Sequence, residues 1–218
     1  MTEREQRVRV ERGLIKSGLA MTASQITLLV AYLDLLVRWN RKINLTGLMV
    51  DPPNEEALER LIIEPISAAR FIPETARTMI DIGSGGGSPA IPMRIARPAL
   101  RLMMVESKVR KSAFLREVAR QLDLADALVE NCRFEELLAR PDLHECADLI
   151  TMRAVRIEPR ILRTALGFLR RGGRVFLFRS QESQTVLPDT VQELALVRRE
   201  MLLRSTGSHL DVLERRFA

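Results

Sequence analysis

Cysteine is scarce in this chain of 218 residues, which contains only Cys132 and Cys146. Two cysteines are too few for a disulfide framework, so we expect both to be reduced thiols that pack as small hydrophobic side chains. Metal ligands are also scarce, because His144 lies close to Cys146 but no second ligand pair is near, and structural zinc takes four ligands. We therefore expect neither a disulfide-stabilised fold nor a metal centre.

Long apolar segments are missing as well. No stretch reaches the roughly eighteen apolar residues of a membrane-spanning helix, and the amino terminus does not pair a basic region with an apolar run of signal-peptide length. We therefore expect a cytoplasmic protein without a membrane partner. The length suits one α/β domain with a modest appendage, and such a domain can bury its core without disulfides.

Acidic residues are in the minority. The chain has 28 Asp and Glu against 34 Lys and Arg, a formal net charge of +6, and most of the cations are arginines. Because guanidinium groups pair well with phosphates, a polyanionic partner is plausible. A solvated basic surface explains the same composition equally well.

The first part of the chain carries helical patterns. A capping box at Thr22–Gln25 precedes apolar residues at three- and four-residue steps, which is typical of an amphipathic helix. The predicted helices are residues 3–18, 23–40 and 54–71. We assign residues 1–75 to an N-terminal helical extension.

From residue 78 onward, short apolar runs alternate with helical patterns, which indicates a mostly parallel sheet with helices on both faces. The predicted strands are 78–82, 101–105, 127–130, 148–152 and 174–178, and the predicted helices are 89–97, 108–122 and 158–170, with a short helix after Phe134 and a turn at Gly172–Gly173. Two late strands, 194–203 and 209–217, form a hairpin that gives the sheet an antiparallel strand. The predicted fold class is α/β, and the predicted second unit is residues 76–218.

The stretch Met79–Pro92 has the form of a buried strand, a glycine-rich turn and the start of a helix. Four of the five residues from 83 to 87 are glycines, which permit positive φ angles and let a ligand lie against bare backbone. The helix that follows directs N–H groups toward that ligand. Asp81 stands where a nucleotide-binding dehydrogenase usually has an apolar residue, and its carboxylate suits a ligand with cationic groups.

Ligands of open α/β sheets bind beyond the carboxyl ends of the strands, so the residues there are candidates. Glu106 follows the second strand. Its separation from Gly83 along the chain is in the range at which an acid reaches a ribose diol, although it is also placed to begin a helix. Phe134 follows the third strand, where it would hold a purine or simply start a helix. Arg153 follows the fourth, apolar strand, and such a cation requires an anion, a ligand or solvent nearby.

The glycine turn alone is a weak signal. A strict dinucleotide fingerprint has a third glycine or alanine at position 88, where this chain has Ser88. Together with Asp81, Glu106 and the late hairpin, the pattern favours S-adenosylmethionine over a nicotinamide cofactor.

Several motifs occur in a characteristic order between residues 25 and 180. They are Trp39–Thr46, Asp81–Pro92, Glu106–Ser107 followed by Lys111-x-x-Phe114-Leu115, Arg133–Glu136 and Arg153–Ala154. In these motifs the chain resembles the bacterial small-subunit rRNA guanine-N7 methyltransferase family, also called glucose-inhibited division protein B. The resemblance implies a class I methyltransferase fold that methylates a guanosine in 16S rRNA, free or in the small ribosomal subunit, and we expect a monomer.

The resemblance also implies roles for individual residues. By position, those expected to contact S-adenosylmethionine are Gly83, Ser88, Phe134, Glu135 and Arg153, with Glu106 at the ribose. Asp81, Ser84 and Gly85 complete the predicted cofactor site. On the substrate side we expect Asn44 and Arg179, and Arg153 is the predicted catalytic residue because it would orient the base.

Two segments depart from the family pattern. Leu61–Pro65 stands where members usually have a histidine before an Asp-Ser pair, and Arg179–Ser180 where they usually have Lys-Gly. Both lie on the expected substrate side, so the cofactor is better supported than the RNA target. Another methyl acceptor, a nicotinamide-dependent oxidoreductase and a non-catalytic RNA-binding protein stay open as alternatives.

The segment Trp39–Thr46 has two interpretations. It is either a helix end with a polar cap, or a segment that closes over the base to be methylated. The second interpretation predicts that Asn44 and Arg153 lie in one crevice.

Overall fold

The computed structural model describes residues 2–155, 157–180 and 191–216. The helices are α1 (Glu3–Lys16), α2 (Ala23–Asn40), α3 (Glu55–Leu58), α4 (Glu64–Ala69), α5 (Ala90–Ala96), α6 (Val109–Gln121) and α7 (Pro159–Phe168). The strands are β1 (Thr78–Ile82), β2 (Arg101–Val105), β3 (Ala127–Glu130), β4 (Ala147–Arg153), β5 (Leu169–Arg179), β6 (Leu194–Leu203) and β7 (Ser208–Arg215). Short 3₁₀ turns cover Phe134–Ala139 and Pro141–Leu143.

The seven strands form one sheet in the order β3-β2-β1-β4-β5-β7-β6. Strands β1 to β5 pair in parallel, and β7 runs antiparallel to both β5 and β6. This confirms the predicted α/β class with one antiparallel strand. The strand order reverses between β1 and β4, and in such sheets the ligand crevice lies beyond the carboxyl ends at the reversal. The end of the late strand predicted at residue 217 lies outside the described residues.

The alternation of side chains along the strands divides the core between the two faces of the sheet. On one face Met79, Met104 and Leu149 pack with helices α1, α2, α5 and α6, and on the other Ile80 and Ile150 pack with α7. The N-terminal helices thus share a core with the sheet. The division at residue 75 stays a prediction. No helix in the described parts of the chain is long and apolar enough to span a bilayer.

The predicted amphipathic stripe of α2 is buried in that core. The helix begins at the predicted capping box, in which the Thr22 side chain accepts from the backbone of Gln25 and the Gln25 side chain accepts from Thr22. Its fully buried residues include Leu29, Tyr32 and Leu33. The capping box therefore placed the start of this helix correctly, and the apolar periodicity placed its inner face correctly.

Three predicted elements differ from the structure. The single helix predicted for residues 54–71 is interrupted by a π-helical turn, Glu59–Ile63, between α3 and α4. The helix predicted to reach residue 170 ends at Phe168, because Leu169 already pairs with Ala147 of β4. The predicted turn at Gly172–Gly173 lies inside β5, where it takes up a register shift: Gly172 has a φ of 71° and a Cβ at Gly173 would approach the Arg170 carbonyl oxygen to 2.8 Å.

Candidate functional site

The loop after β1 requires glycine at several positions. Gly83, Gly85 and Gly87 have φ values of 73°, 53° and 85°, in the left-handed region that side chains with a Cβ rarely adopt. The amides of Gly83 and Ser84 both donate to the Val105 carbonyl oxygen, at 2.9 and 3.1 Å. The loop is thereby fixed to the end of β2, with Gly83 exposed and Gly85 and Gly86 partly buried.

Helix α2 supports this loop from the N-terminal region. The Tyr32 hydroxyl donates to the Gly86 carbonyl oxygen at 2.6 Å, and burial raises the pKa of Tyr32, which keeps the phenol neutral. A Cβ at Gly86 would approach Leu36 Cδ1 to 3.2 Å and the Leu45 carbonyl oxygen to 3.4 Å. The glycine loop therefore lies in close contact with α2 and the segment that follows it.

Asp81 lies beneath the loop with 1% of its surface exposed. Its Oδ1 accepts a hydrogen bond from the Thr151 hydroxyl at 2.5 Å, and its Oδ2 is buried without a hydrogen-bond partner in the described structure. Burial raises the pKa of Asp81 to about 6, although the Thr151 hydrogen bond opposes that shift. A buried carboxylate oxygen with no partner is suited to a cationic group.

Glu106 is buried at the end of β2 and is bound to the glycine loop. Its Oε2 accepts from the Gly85 amide at 2.9 Å and its Oε1 from the Lys108 amide at 2.8 Å, just before α6. The contact with Lys108 agrees with the predicted place at a helix start, the contact with Gly85 was not predicted, and the ribose role stays a prediction. Each oxygen keeps a second lone pair, which can accept from a ribose hydroxyl.

The third strand end completes this side of the crevice. The Asn131 side chain donates to the Glu106 carbonyl oxygen at 2.9 Å and so joins the ends of β2 and β3. Phe134 begins the following 3₁₀ turn and packs, partly buried, against the second core cluster, and Glu135 is partly buried beside it. The loop, Glu106 and the Asn131–Glu135 segment therefore follow neighbouring strands.

Arg153 lies on the opposite side of the glycine loop, with 18% of its side chain exposed. Its Nη2 donates to Glu64 Oε2 at 2.7 Å, its Nη1 contacts the Arg60 carbonyl oxygen and lies 3.4 Å from Ser88 Oγ, and its guanidinium lies 4.6 Å from the ring centre of Phe178. Burial lowers the pKa of Arg153, and Glu64 opposes this shift. The sequence predicted an anion, a ligand or solvent near Arg153, and the structure supplies an anion, the buried Glu64 carboxylate.

A cleft of about 510 Å³ opens next to Arg153, at the ends of β4 and β5. Its polar walls include Arg60, Glu64, Arg153, Arg179 and His209. Arg179 is buried and pairs with His209 across β5 and β7, and Glu64 Oε1 accepts from the Thr206 hydroxyl at 2.8 Å. The cleft combines three arginines with a fixed buried acid.

Asn44 is exposed and is not among the described residues that line this cleft. Nearby, Asn40 Oδ1 accepts from the amides of Leu45 and Thr46 at 2.9 and 3.0 Å. This is the polar helix cap of the first interpretation of the Trp39–Thr46 segment. The structure gives no contact between Asn44 and Arg153.

Sequence reasoning did not assign a role to Glu64, Arg60 or His209. Glu64 was noted only as part of a departure from the family pattern. Its signal was a single acid inside the apolar run Leu61–Ile66, because a charge at a buried helical position requires a partner. Which partner it has depends on the packing of α4 against β4 and the β6–β7 turn, which is a tertiary contact.

Comparison with known proteins gives a match over most of the chain. The family model "GidB: rRNA small subunit methyltransferase G" matches residues 25–206. "Ribosomal RNA small subunit methyltransferase G" of Acetivibrio thermocellus is 33% identical over 85% of this chain and 76% of that protein. Its namesake in Syntrophotalea carbinolica is 31% identical over 85% of this chain and 83% of that protein.

Solved structures share the fold at low sequence identity. A putative methyltransferase, yhhF, from Escherichia coli has a TM-score of 0.57 at 14% identity, covering 71% of this chain and 87% of that one. A SAM-dependent methyltransferase from Aquifex aeolicus has a TM-score of 0.56 at 12% identity, covering 77% and 96%. A mutant of MtNAS in complex with S-adenosylmethionine has a TM-score of 0.55 at 12% identity, covering 88% and 79%.

Proposed function

Because the chain belongs to the GidB family of small-subunit ribosomal RNA methyltransferases, we propose that it transfers the methyl group of S-adenosylmethionine to N7 of a guanosine in 16S rRNA. The chain is an S-adenosylmethionine-dependent rRNA methyltransferase, and the guanosine N7 is the finer part of the proposal. One observation carries it: a glycine loop above a buried acid lies directly beside a cleft lined by arginines.

The residues around the glycine loop fit the methyl donor. The unpartnered Oδ2 of Asp81 and the bare backbone at Gly83, Gly85 and Gly87 suit a ligand that carries an amino group and a sulfonium. We assign Glu106 to the ribose, because its two oxygens can each accept a further hydrogen bond. The other residues that we assign to the donor are Ser84, Ser88, Phe134, Glu135 and Arg153.

The proposed reaction requires little proton chemistry from the protein. S-adenosylmethionine supplies a methyl group activated by a positively charged sulfur. Guanine N7 has an in-plane lone pair and no proton to lose, so no general base is needed. The task of the side chains is to align N7 with the methyl carbon and to keep water out, and alignment alone can contribute several kcal/mol.

Arg153 is the residue that we assign to this alignment. Its contacts with Glu64, Ser88 and Phe178 hold the guanidinium in one orientation beside the glycine loop. A fixed guanidinium can donate to O6 of guanine while N7 stays available to the methyl group. On the same reasoning Arg179 is assigned to the RNA in the cleft, and Asn44 to RNA near the loop at residues 41–47.

The proposed rRNA substrate also indicates where the protein acts and on what partner. We propose that the protein acts in the cytoplasm as a monomer, on 16S rRNA or on the small ribosomal subunit. The net charge of +6 supports an RNA partner, because cations pair with the phosphate backbone.

The proposed function is tested by mapping N7-methylated guanosines in 16S rRNA from cells with and without this gene. We expect one guanosine to lose its methyl group in the deletion strain and to regain it when the gene is restored. An Arg153→Ala gene provides the matched control, since we expect it not to restore the modification. An unchanged set of 16S rRNA methyl groups would overturn the proposed substrate.

A further inference from the structure

A second groove lies beside the glycine loop, away from the arginine cleft. It has a volume of about 630 Å³ and runs between the carboxyl end of α2 and the face of α6. Its walls carry the cations Arg38, Arg41, Lys42 and Arg110, the apolar residues Leu35, Trp39 and Ile43, and the polar pair Glu117 and Gln121. Four cations thus share this groove with one carboxylate.

Most of this positive charge is not neutralised within the molecule. Glu117 is occupied by Arg120, whose Nη2 lies 3.0 Å from Glu117 Oε1, and Arg41 pairs with Asp51 at 2.6 Å. Arg38, Lys42 and Arg110 are exposed, and none of the three forms an ion pair with the residues that the structure describes. The groove therefore offers three unpaired cations to a partner.

The start of α6 adds an independent observation. The first turn of this helix contains no acid, and the residues there include Lys108, Arg110 and Lys111. Cations at a helix N-terminus oppose the helix dipole, which favours negative charge at that end. The Glu106 carboxylate, which accepts from the Lys108 amide at 2.8 Å, offsets part of this effect, and an anion bound in the groove would offset more of it.

The groove borders the predicted donor site. Arg110 lies in the first turn of α6, shortly after Glu106 in the chain, and Leu36 of α2 lies against Gly86. Helix α6, which lines the groove, follows β2, and the arginine cleft lies at the ends of β4 and β5, so the glycine loop after β1 lies between them in strand order. A chain whose base enters beside the glycine loop would therefore pass close to this groove.

The floor of the groove suits a sugar-phosphate backbone. The Trp39 ring is held edge-on to Phe114, with 5.8 Å between the ring centres, and it is partly buried next to Ile43. Such a floor gives ribose an apolar wall, and cations on the rim meet the phosphates. We propose that this groove binds the ribose-phosphate backbone of the rRNA that flanks the methylated nucleotide, an inference that rests on the proposed function.

The test compares two double variants with the same loss of charge. Arg38→Gln with Arg110→Gln removes two cations from the groove. Arg101→Gln with Arg171→Gln removes two exposed cations near the amino ends of β2 and β5, at the opposite edge of the sheet. Binding of a 16S rRNA transcript is measured at several salt concentrations, together with S-adenosylmethionine binding by calorimetry.

We expect the groove variant to bind the transcript about 10-fold more weakly at low salt and to lower the slope of log affinity against log salt by about 1 to 2. Its S-adenosylmethionine affinity should stay within twofold of wild type, and the control variant should match wild type in the RNA measurement. Equal salt slopes for the two variants would overturn the proposal that this groove binds the rRNA backbone. Failure of the wild-type protein to methylate 16S rRNA would instead refute the proposed function. The two failures can be told apart, because the salt slopes measure RNA binding in the groove and not methyl transfer.

Discussion

The proposed donor side and the proposed acceptor side of the site are built in different ways. The donor side is made from backbone: the loop around Gly83–Gly87 is fixed by the Val105 carbonyl oxygen and by the Glu106 carboxylate. The acceptor cleft is made from charged side chains, with Arg153 held against Glu64, a residue 89 positions earlier in the chain. One side depends on conformation that only glycine adopts, and the other on a buried ion pair.

This difference determines how each side responds to change. A backbone loop fails when a Cβ is added at a positive φ, since that strain stays in the backbone wherever the neighbouring side chains move. A buried ion pair fails when one partner is removed, because the other charge stays buried. Changes to the glycine loop should therefore abolish donor binding, whereas changes to the ion pair should abolish methyl transfer.

The largest expected effect is at Gly87. Its φ is 85° and an added Cβ would collide with Ile91, so Gly87→Ala should lower the free energy of unfolding by about 2–4 kcal/mol. We expect S-adenosylmethionine affinity to fall more than 100-fold in calorimetry. Gly47→Ala is the matched control, because Gly47 has open space around its Cβ position and should show no change. Wild-type donor affinity in the Gly87 variant would contradict the backbone description.

Arg153→Ala should break the acceptor side. It leaves the Glu64 carboxylate, only 2% exposed, with the Thr206 hydroxyl, and the free energy of unfolding should fall by about 3–5 kcal/mol. Methyl transfer should fall about 100-fold, since misplacement of a reacting group by about 1 Å has that effect. Single-turnover methylation of 16S rRNA measures this directly.

A double variant separates folding from transfer at this pair. Arg153→Met with Glu64→Leu removes both charges, and we expect it to regain most of the lost stability but not the methyl transfer. An Arg153→Ala protein that methylates RNA at the wild-type rate would refute the role assigned to this arginine.

Asp81 is an ionisable side chain on the donor side, which otherwise consists mainly of backbone. Its pKa of about 6 lies above the ordinary value of 3.8, so the folded protein holds the proton more tightly than the unfolded chain. The stability associated with protonated Asp81 is therefore complete below about pH 4 and is lost as the pH rises through about 6, a change of about 3 kcal/mol. Asp81→Asn should lack this component in urea unfolding measured from pH 4 to 8.

Donor binding should show the opposite dependence on pH. S-adenosylmethionine affinity should rise as Asp81 ionises near pH 6, because the ionised carboxylate attracts a cationic ligand. We expect Asp81→Asn to bind about 10-fold more weakly at pH 8 and to show a flat profile. The same pH profile in both proteins would remove Asp81 from the donor site.

The smallest expected effect is at Tyr32. Tyr32→Phe deletes the hydroxyl that donates to the Gly86 carbonyl oxygen, which should lower the free energy of unfolding by about 1 kcal/mol. Donor affinity should weaken only two- to fivefold, since Val105 and Glu106 still fix the loop. A loss above 50-fold in calorimetry would mean that α2, rather than β2, determines the loop geometry.

The sequence predicted the strands and the glycine loop of the proposed donor side, because their determinants are local. The glycine turn and Glu106 each follow a strand that apolar periodicity locates, Asp81 lies near the end of the first of these strands, and parallel strands bring their carboxyl ends together. The acceptor side was less predictable because Arg153, Glu64 and Thr206 meet only through tertiary packing. The misplaced helix end at Phe168 has a similar cause, since pairing of Leu169 with Ala147 overrides the helical pattern.

One measurement tests most directly whether the two sides of the site have separate roles. It is the transfer of radiolabelled methyl groups from S-adenosylmethionine to small ribosomal subunits that lack the modification. We expect wild-type protein to place one methyl group on guanine N7, and both Gly87→Ala and Arg153→Met with Glu64→Leu to place none. Only the second variant should still bind S-adenosylmethionine, at an affinity within about 10-fold of wild type, because Arg153 is one of several residues assigned to the donor. Loss of donor binding in that variant, or full transfer by it, would contradict the separation of donor and acceptor sides.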